Sequence, residues 1–186
     1  MDLLKELTKN KFVLVLLEEK QYFEELVKIV KRVNKEHEKI CYVCLSKTCN
    51  DVLDELKRIN LNTNKFYFID VLSSHYETPE PIKNCIFLKS PIDLSAIRVA
   101  VTKSVNKKNC SVVIFDTISA LLVYQEVFNI VKLTHSLVTE KLHEKSNTVF
   151  IVLKNQDEVL KDLNAGLIKD LSMFADKTIN FSKAQD

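Results

Sequence analysis

The chain has 186 residues, a length that fits one globular domain able to bury a full apolar core without disulfides or metal. Lysine and arginine number 27 against 25 acidic residues, and only three of the bases are arginine, which argues against a nucleic-acid-binding surface. The sequence contains one glycine, Gly166, which excludes a glycine-rich phosphate-binding loop.

The cysteines and the hydropathy indicate a cytoplasmic protein without metal or membrane contact. Five cysteines at irregular spacing do not form a disulfide framework, which favours free thiols in a reducing compartment. Cys41 and Cys44 lie three residues apart in an apolar run that is typical of a strand, so they should point to opposite faces and cannot share a metal. No signal peptide is evident, and no apolar run approaches the roughly 20 residues that span a bilayer.

Apolar periodicity alternates between strand and helix along the chain. Short continuous apolar runs are typical of parallel strands covered on both faces, and apolar residues at helical spacing mark the segments between them. In order, the patterns predict a strand at 12–17, a helix at about 19–37, a strand at 40–45, a helix at about 50–60, a strand at 66–71, a short strand at 86–88, a helix capped by Asp93, a strand at 112–116, a long helix at about 118–145, a strand at 149–153, a helical stretch over 159–171 and a strand at 177–181.

This order predicts one α/β domain over residues 1–186, with a mostly parallel sheet flanked by helices. The most apolar strands begin at 12, 112 and 149, and we expect them at the centre of the sheet. Residues 73–84 contain Pro79 and Pro81 and are predicted to form a loop.

The stretch from Val112 to Tyr124, V-V-I-F-D-T-I-S-A-L-L-V-Y, resembles the Walker B strand and following helix of the RecA-like ATPases, especially the archaeal KaiC-like branch. The segment F-A-D-K-T-I at 174–179 is similar to the last strand of that branch. The resemblance implies a three-layer RecA-like P-loop NTPase fold, with Asp116 and Thr117 at the Walker B position.

An active member of that family carries a P-loop after its first strand. The corresponding positions here hold Glu18, Glu19 and Lys20, without a glycine or a Gly-Lys-Ser/Thr sequence. Two carboxylates at that place would repel a triphosphate, and one lysine without a cradle of backbone N–H groups does not replace the loop. The KaiC-like branch also has adjacent catalytic glutamates after its second strand, where this chain has Ser46 and Lys47.

These differences predict a pseudo-ATPase: no enzyme, no ATP or other cofactor, and a role as an interaction or regulatory module. For Asp116 two roles are open, a helix cap for the following segment and a Mg²⁺ ligand, and we favour the cap. RecA-like relatives form rings, which implies a protein partner that is a second copy or a related ATPase, and so a possible homo-oligomer. The exposed side of the predicted 118–145 helix, with Tyr124, Phe128 and His135, is a candidate contact surface.

Two alternatives use the acidic strand ends. A receiver-like phosphoacceptor would place acids at Glu18 and Glu19, an aspartate at Asp70, a hydroxyl at Thr117 and a lysine at Lys154, although the chain is longer than such domains. A small-ligand-binding signalling domain would use the crevice beyond the carboxyl ends of the strands. The side chains expected in that crevice are Glu18, Ser46, Asp70, Asp116 and Lys154.

Overall fold

A computed structural model of the chain describes residues 3–76, 78–139, 142–154 and 158–181. Its strands are β1 (Phe12–Leu17), β2 (Ile40–Cys44), β3 (Phe66–Asp70), β4 (Cys85–Phe87), β5 (Val112–Asp116), β6 (Asn147–Leu153) and β7 (Lys177–Asn180). Its α-helices are α1 (Leu3–Lys9), α2 (Tyr22–Glu36), α3 (Cys49–Arg58), α4 (Ser73–Tyr76), α5 (Leu94–Lys108), α6 (Val127–Thr139), α7 (Leu142–Lys145) and α8 (Lys161–Ser172). Short 3₁₀ helices cover Glu19–Gln21, Thr63–Lys65 and Ile118–Val123.

The strands form one seven-stranded sheet in the order β4-β3-β2-β5-β6-β1-β7, and every pairing is parallel. This confirms the predicted α/β fold class with its parallel sheet. The three most apolar strands, β5, β6 and β1, are adjacent, and each lies between two others. Every residue of β1 and β5 is buried, as expected for strands that helices cover on both faces.

Helices pack on both faces of the sheet, which gives three layers. One apolar cluster joins the sheet to α1, α2 and α3, and a second joins its other face to α5, α6 and α8. Cys41 belongs to the second cluster and Cys44 to the first, so the prediction that these thiols point to opposite faces is confirmed. In the described part of the chain, no helix combines the length and apolar character needed to cross a membrane.

The prediction of one long helix over 118–145 is wrong. A 3₁₀ helix ends at Val123 and α6 begins only at Val127, while residues 140 and 141, between α6 and α7, lie outside the described residues. The amide nitrogens of Tyr124 and Gln125 both donate to the carbonyl of Leu121, which closes the first segment. The apolar period continues across the break because both segments bury side chains against the same face of the sheet, so periodicity alone does not reveal it.

Part of the predicted 73–84 loop is also helical, because Ser73–Tyr76 forms the single turn α4. The backbone N–H groups of Leu72 and Ser73 donate to Oδ1 of Asp70 at 2.8 and 2.9 Å, which caps this turn. The Asp93 cap of α5 is confirmed, since its carboxylate accepts from the backbone nitrogen of Ala96 at 2.9 Å.

Candidate functional site

The carboxyl edge of the sheet collects the polar residues that the sequence analysis singled out. Asp70 and Asp116 are the last residues of β3 and β5, whereas Glu18, Ser46 and Lys154 lie just beyond β1, β2 and β6. They share one edge because all the strands are parallel. Their partners differ, and the edge divides into separate hydrogen-bonded groups.

Asp116 is held by two tyrosines. The Tyr22 hydroxyl donates to Oδ1 of Asp116 at 2.6 Å, and the Tyr42 hydroxyl donates to Oδ2. The Asp116 side chain points toward α2 and α3, because Val112 and Ile114, two and four residues earlier on the strand, pack into that layer. Only 1% of Asp116 is exposed, so the phenols take the place of water around both carboxylate oxygens.

Burial sets the protonation of this group. Burial raises the pKa of Asp116, while the hydrogen bonds from Tyr22 and Tyr42 oppose that rise by stabilising the carboxylate. Burial and the nearby charge of Asp116 raise the pKa of both tyrosines. The phenols therefore keep their protons as donors, and the two oxygens that a Mg²⁺ ion would need are already occupied.

The predicted role of Asp116 as a helix cap is wrong. Thr117 is the N-cap residue of the Ile118–Val123 segment and its side chain makes no capping hydrogen bond, while the described hydrogen bonds of the Asp116 carboxylate come from Tyr22 and Tyr42. Thr117 is itself buried, with its Oγ1 at 3.4 Å from the Ser119 hydroxyl, and the peptide bond between Asp116 and Thr117 is cis.

The connection after β1 is short and closed. Glu18 is the only residue between β1 and the Glu19–Gln21 turn, and α2 begins directly at Tyr22. The backbone nitrogen of Gln21 donates to the Glu18 carbonyl at 3.0 Å, so the chain turns tightly back on itself. Glu18 Oε1 lies 3.0 Å from Nζ of Lys154, while Glu19 and Lys20 are exposed.

Ser46 and Lys47 line the other side of Tyr22. The Ser46 hydroxyl donates to the backbone carbonyl of Asp116 at 3.3 Å. Nζ of Lys47 lies 5.0 Å from the centre of the Tyr22 ring and forms an ion pair with Glu55 at 2.6 Å. A cation over the ring face fixes the phenol against the edge of the sheet.

Comparisons with known proteins bear on the fold. No family model and no curated protein matches the chain. Among solved structures, it is similar to a KaiC-like protein from the hyperthermophilic archaeon Pyrococcus horikoshii, with a TM-score of 0.57 and 14% sequence identity over 83% of this chain and 70% of that one. The chain has a RecA/KaiC-like fold.

In this RecA-like fold, Asp70 has a structural role at the end of β3. It is fully buried and accepts hydrogen bonds from the backbone nitrogen of Cys49 at 2.6 Å and from the Ser73 hydroxyl at 2.8 Å, in addition to those that cap α4. Asp70 therefore joins the start of α3 to the end of β3, and its oxygens are taken by this chain's own groups.

The strand order of the RecA-like sheet contradicts the receiver-like alternative. Receiver-type sheets have the order 2-1-3-4-5, which places the first strand between the second and the third. Here four inter-strand steps separate β1 from β3. At about 4.8 Å a step they place Glu18 and Asp70 roughly 19 Å apart. An acid pair after β1 cannot meet an aspartate at the end of β3 in this arrangement.

Sequence reasoning did not single out Tyr22, Tyr42 and Asn180, which organise this edge, and it noted Lys47 only as a position without the family's glutamate. Tyr42 is the one tyrosine in the apolar strand β2, and a buried tyrosine hydroxyl usually has a hydrogen-bond partner. Its presence was therefore a signal of a polar group nearby. Asn180 on β7 accepts a hydrogen bond from Lys154 at 2.6 Å, a contact that depends on β7 pairing with β1. Across the described ranges, no three metal-ligating side chains gather in one place.

Proposed function

We propose that this chain is a pseudo-ATPase: a RecA/KaiC-like domain that neither binds nor hydrolyses ATP and that acts as an interaction or regulatory module. The observation that carries the proposal is the pair of phenols on Asp116. Tyr22 opens α2, where an active relative would present the lysine and hydroxyl of its P-loop, and its own hydroxyl bonds the aspartate at 2.6 Å. An incoming Mg²⁺ would have to displace two hydrogen bonds in a buried site.

The electrostatics of the strand end support the same proposal. Phosphate sites in P-loop proteins are concave loops whose successive backbone N–H groups face the anion. After β1 this chain has a 3₁₀ turn, an exposed carboxylate at Glu19 and an ion pair between Glu18 and Lys154. The Lys154 charge, which could otherwise attract a phosphate, lies against Glu18.

Isothermal titration with Mg-ATP, together with a phosphate-release assay, tests the proposal. We expect no binding heat at millimolar nucleotide and no phosphate release above buffer. Binding with a micromolar dissociation constant would overturn the proposal. Asp116→Asn is the matched control, because loss of such binding in that variant would place the nucleotide at the end of β5.

The partner that we propose is a second copy of this chain or a related ATPase. The candidate surface is the start of α6, where Phe128 is 71% exposed, together with Val123 at the end of the preceding 3₁₀ helix, which is 65% exposed. Tyr124 is half-buried, and His135 is exposed with its ring 5.8 Å from that of Phe174. Contiguous exposed apolar patches mark contact surfaces, and we propose that these side chains form one.

Sedimentation analysis of the wild type and of Phe128→Ser tests this surface, alone and mixed with a RecA-like ATPase from the same genome. We expect a concentration-dependent complex that Phe128→Ser weakens. A wild type that stays monomeric in both experiments would refute the partner proposal. Localisation in the cytoplasm is part of the same proposal, supported by the free thiols of Cys41, Cys44, Cys49, Cys85 and Cys110.

A further inference from the structure

A small cavity, which we call the amino-edge cavity, lies at the edge of the sheet where the parallel strands begin, at the opposite end of the strands from Asp116. Its volume is about 120 Å³, the room of about four water molecules in the liquid. Residues at the starts of β2, β3 and β4 and at the end of α5 line it: Lys39, Asn64, Lys65, Phe66, Tyr67, Asn84, Lys108 and Cys110. This volume excludes a nucleotide but admits a small ion or a single charged group.

Backbone hydrogen bonds between neighbouring strands hold the walls of the amino-edge cavity. The carbonyl of Lys39 accepts from the backbone nitrogen of Ser111 at 3.0 Å. The carbonyl of Asn84 accepts from the backbone nitrogen of Phe68 at 2.8 Å. Asn84 has a left-handed backbone, with φ at 61°, which asparagine tolerates better than most residues. The backbone of the walls is therefore fixed before a ligand arrives, which lowers the entropy cost of binding.

The acids that precede β2 are already paired. Glu36 forms an ion pair with Arg32, and Glu38 forms one with Lys65 at 3.1 Å. Nζ of Lys65 also donates to two backbone carbonyls at the end of α2, at 3.1 and 3.3 Å. An ammonium group has three N–H donors, so Lys65 uses its donors within the protein and shapes the wall of the cavity.

Lys39 and Lys108 bring further positive charge to the amino-edge cavity. Burial raises the pKa of the Cys110 thiol to about 11, against the opposing charges of these two lysines. Both ammonium groups therefore act on the thiol, which stays protonated and adds no negative charge. Nζ of Lys108 lies 5.5 Å from the centre of the Tyr67 ring, a contact that holds it near the wall. Two cations around one small cavity favour an anion in it.

Three neutral side chains add hydrogen-bond donors to the two lysines. Burial raises the pKa of Tyr67, so its hydroxyl keeps its proton and can donate. Neither this hydroxyl nor the side-chain amides of Asn64 and Asn84 hydrogen-bond to another residue in the described part of the chain. Several donors and two cations around one cavity match the acceptor oxygens of an oxyanion.

We propose that the amino-edge cavity binds one phosphate group, either as inorganic phosphate or as the phosphate of a small phosphorylated molecule. A phosphate monoester carries a charge of about −1.5 to −2 at pH 7, which the charges of Lys39 and Lys108 balance. Tyr67, Asn64 and Asn84 donate to its oxygens. A carboxylate has one charge and two oxygens, so it leaves part of this donor set unused. The site is separate from the carboxyl edge and goes beyond the proposed function.

Titration of inorganic phosphate into isotope-labelled protein in a low-salt buffer, followed by amide chemical shifts, tests the proposal. We expect saturable shifts at the amides of Ser111 and Asn84, and an affinity that falls as sodium chloride is added. Lys39→Gln and Lys108→Gln should each weaken binding about tenfold, because each removes a charge-assisted hydrogen bond. Lys103→Gln, which removes an exposed lysine of α5 outside the cavity, should leave the affinity unchanged. Spectra without phosphate show whether each variant keeps the wild-type fold.

A parallel titration with phosphoserine distinguishes the two sources of phosphate. Shifts at the same amides assign the site to the phosphate of a larger molecule, whereas binding of inorganic phosphate alone assigns it to the free anion. Three results would overturn the proposal: no shifts around the cavity at millimolar phosphate, equal effects of Lys39→Gln and Lys103→Gln, or equal affinity for acetate, which would indicate attraction by surface charge alone. The Mg-ATP titration tests the proposed function separately, because it concerns the opposite edge of the sheet.

Discussion

The hydroxyl of Tyr22 donates a 2.6 Å hydrogen bond to a carboxylate oxygen of Asp116, 94 positions further along the chain. The bond joins the first turn of α2, the helix that follows β1 in the chain, to the end of β5, which lies between β2 and β6 in the sheet. Since the Tyr42 hydroxyl donates to the other oxygen, both carboxylate oxygens of Asp116 accept hydrogen bonds from within the protein.

Tyr22→Phe should destabilise the protein by about 1–3 kcal/mol, because it leaves Oδ1 of a buried aspartate without a donor. Urea unfolding at pH 7, followed by circular dichroism, measures the change as a lower midpoint with an unchanged slope. Tyr67→Phe is the matched control, since Tyr67 is a half-buried tyrosine on β3 with no hydroxyl hydrogen bond in the described structure. Equal midpoints for the two variants would contradict the role of the Tyr22 hydroxyl.

Asp70→Ala should cost more stability than Asp93→Ala. Asp70 is fully buried and its carboxylate serves α3 and α4 together, so its removal leaves several buried donors unpaired, at about 3 kcal/mol or more. Asp93 is an exposed cap of one helix, whose loss costs about 1 kcal/mol. Urea midpoints of the two variants give the order, and a larger loss for Asp93→Ala would refute this account of β3.

Lys154→Met should lower the free energy of unfolding by about 1 kcal/mol. Nζ of Lys154 joins Glu18 at 3.0 Å and Asn180 at 2.6 Å, so the change removes a contact between the ends of β6, β1 and β7. The side chains of Lys154 and Glu18 are only 18% and 25% exposed, so solvent screens the pair less than a surface ion pair. Lys161→Met, at an exposed position of α8, is the control and should leave the thermal midpoint unchanged.

Stability should fall as the pH drops below about 6.5, in part through His37. Burial lowers the pKa of His37 in the folded protein, while the charge of Glu36 opposes this shift. Its Nδ1 lies 2.8 Å from the Ser111 hydroxyl, and among the described residues its buried Nε2 has no hydrogen-bond partner that would stabilise a bound proton. The unfolded chain therefore binds the proton more readily, and the free energy of unfolding decreases from the unfolded pKa downward.

The His37→Gln variant checks this sign. Urea unfolding at pH 7.5, 6.5 and 5.5 should show a smaller loss of stability for His37→Gln than for the wild type over that window. His135→Gln, at an exposed position of α6, should keep the wild-type slope. If the free energy of unfolding of His37→Gln falls with pH in parallel with that of the wild type, the claim that the buried His37 imidazole is neutral in the folded protein is wrong.

Local sequence patterns were enough to predict most of the fold. Continuous apolar runs such as Phe12–Leu17 and Val112–Phe115 are typical of strands covered on both faces, and their alternation with helical segments favours a parallel sheet. The break at Tyr124 was not predictable from periodicity, because the residues before and after it face the same core. The Asp93 cap was predicted correctly, because its carboxylate bonds a backbone nitrogen only three residues further along the chain.

The sequence by itself determined that the segment after β1 has no glycine and carries two adjacent acids, Glu18 and Glu19, because composition is independent of folding. Only the tertiary structure decided what Asp116 contacts. Tyr22 and Tyr42 are 94 and 74 positions away from it, and no local pattern links them. A buried carboxylate takes its partners from whichever strand and helix the sheet order brings beside it, and that order depends on long-range packing of the whole chain.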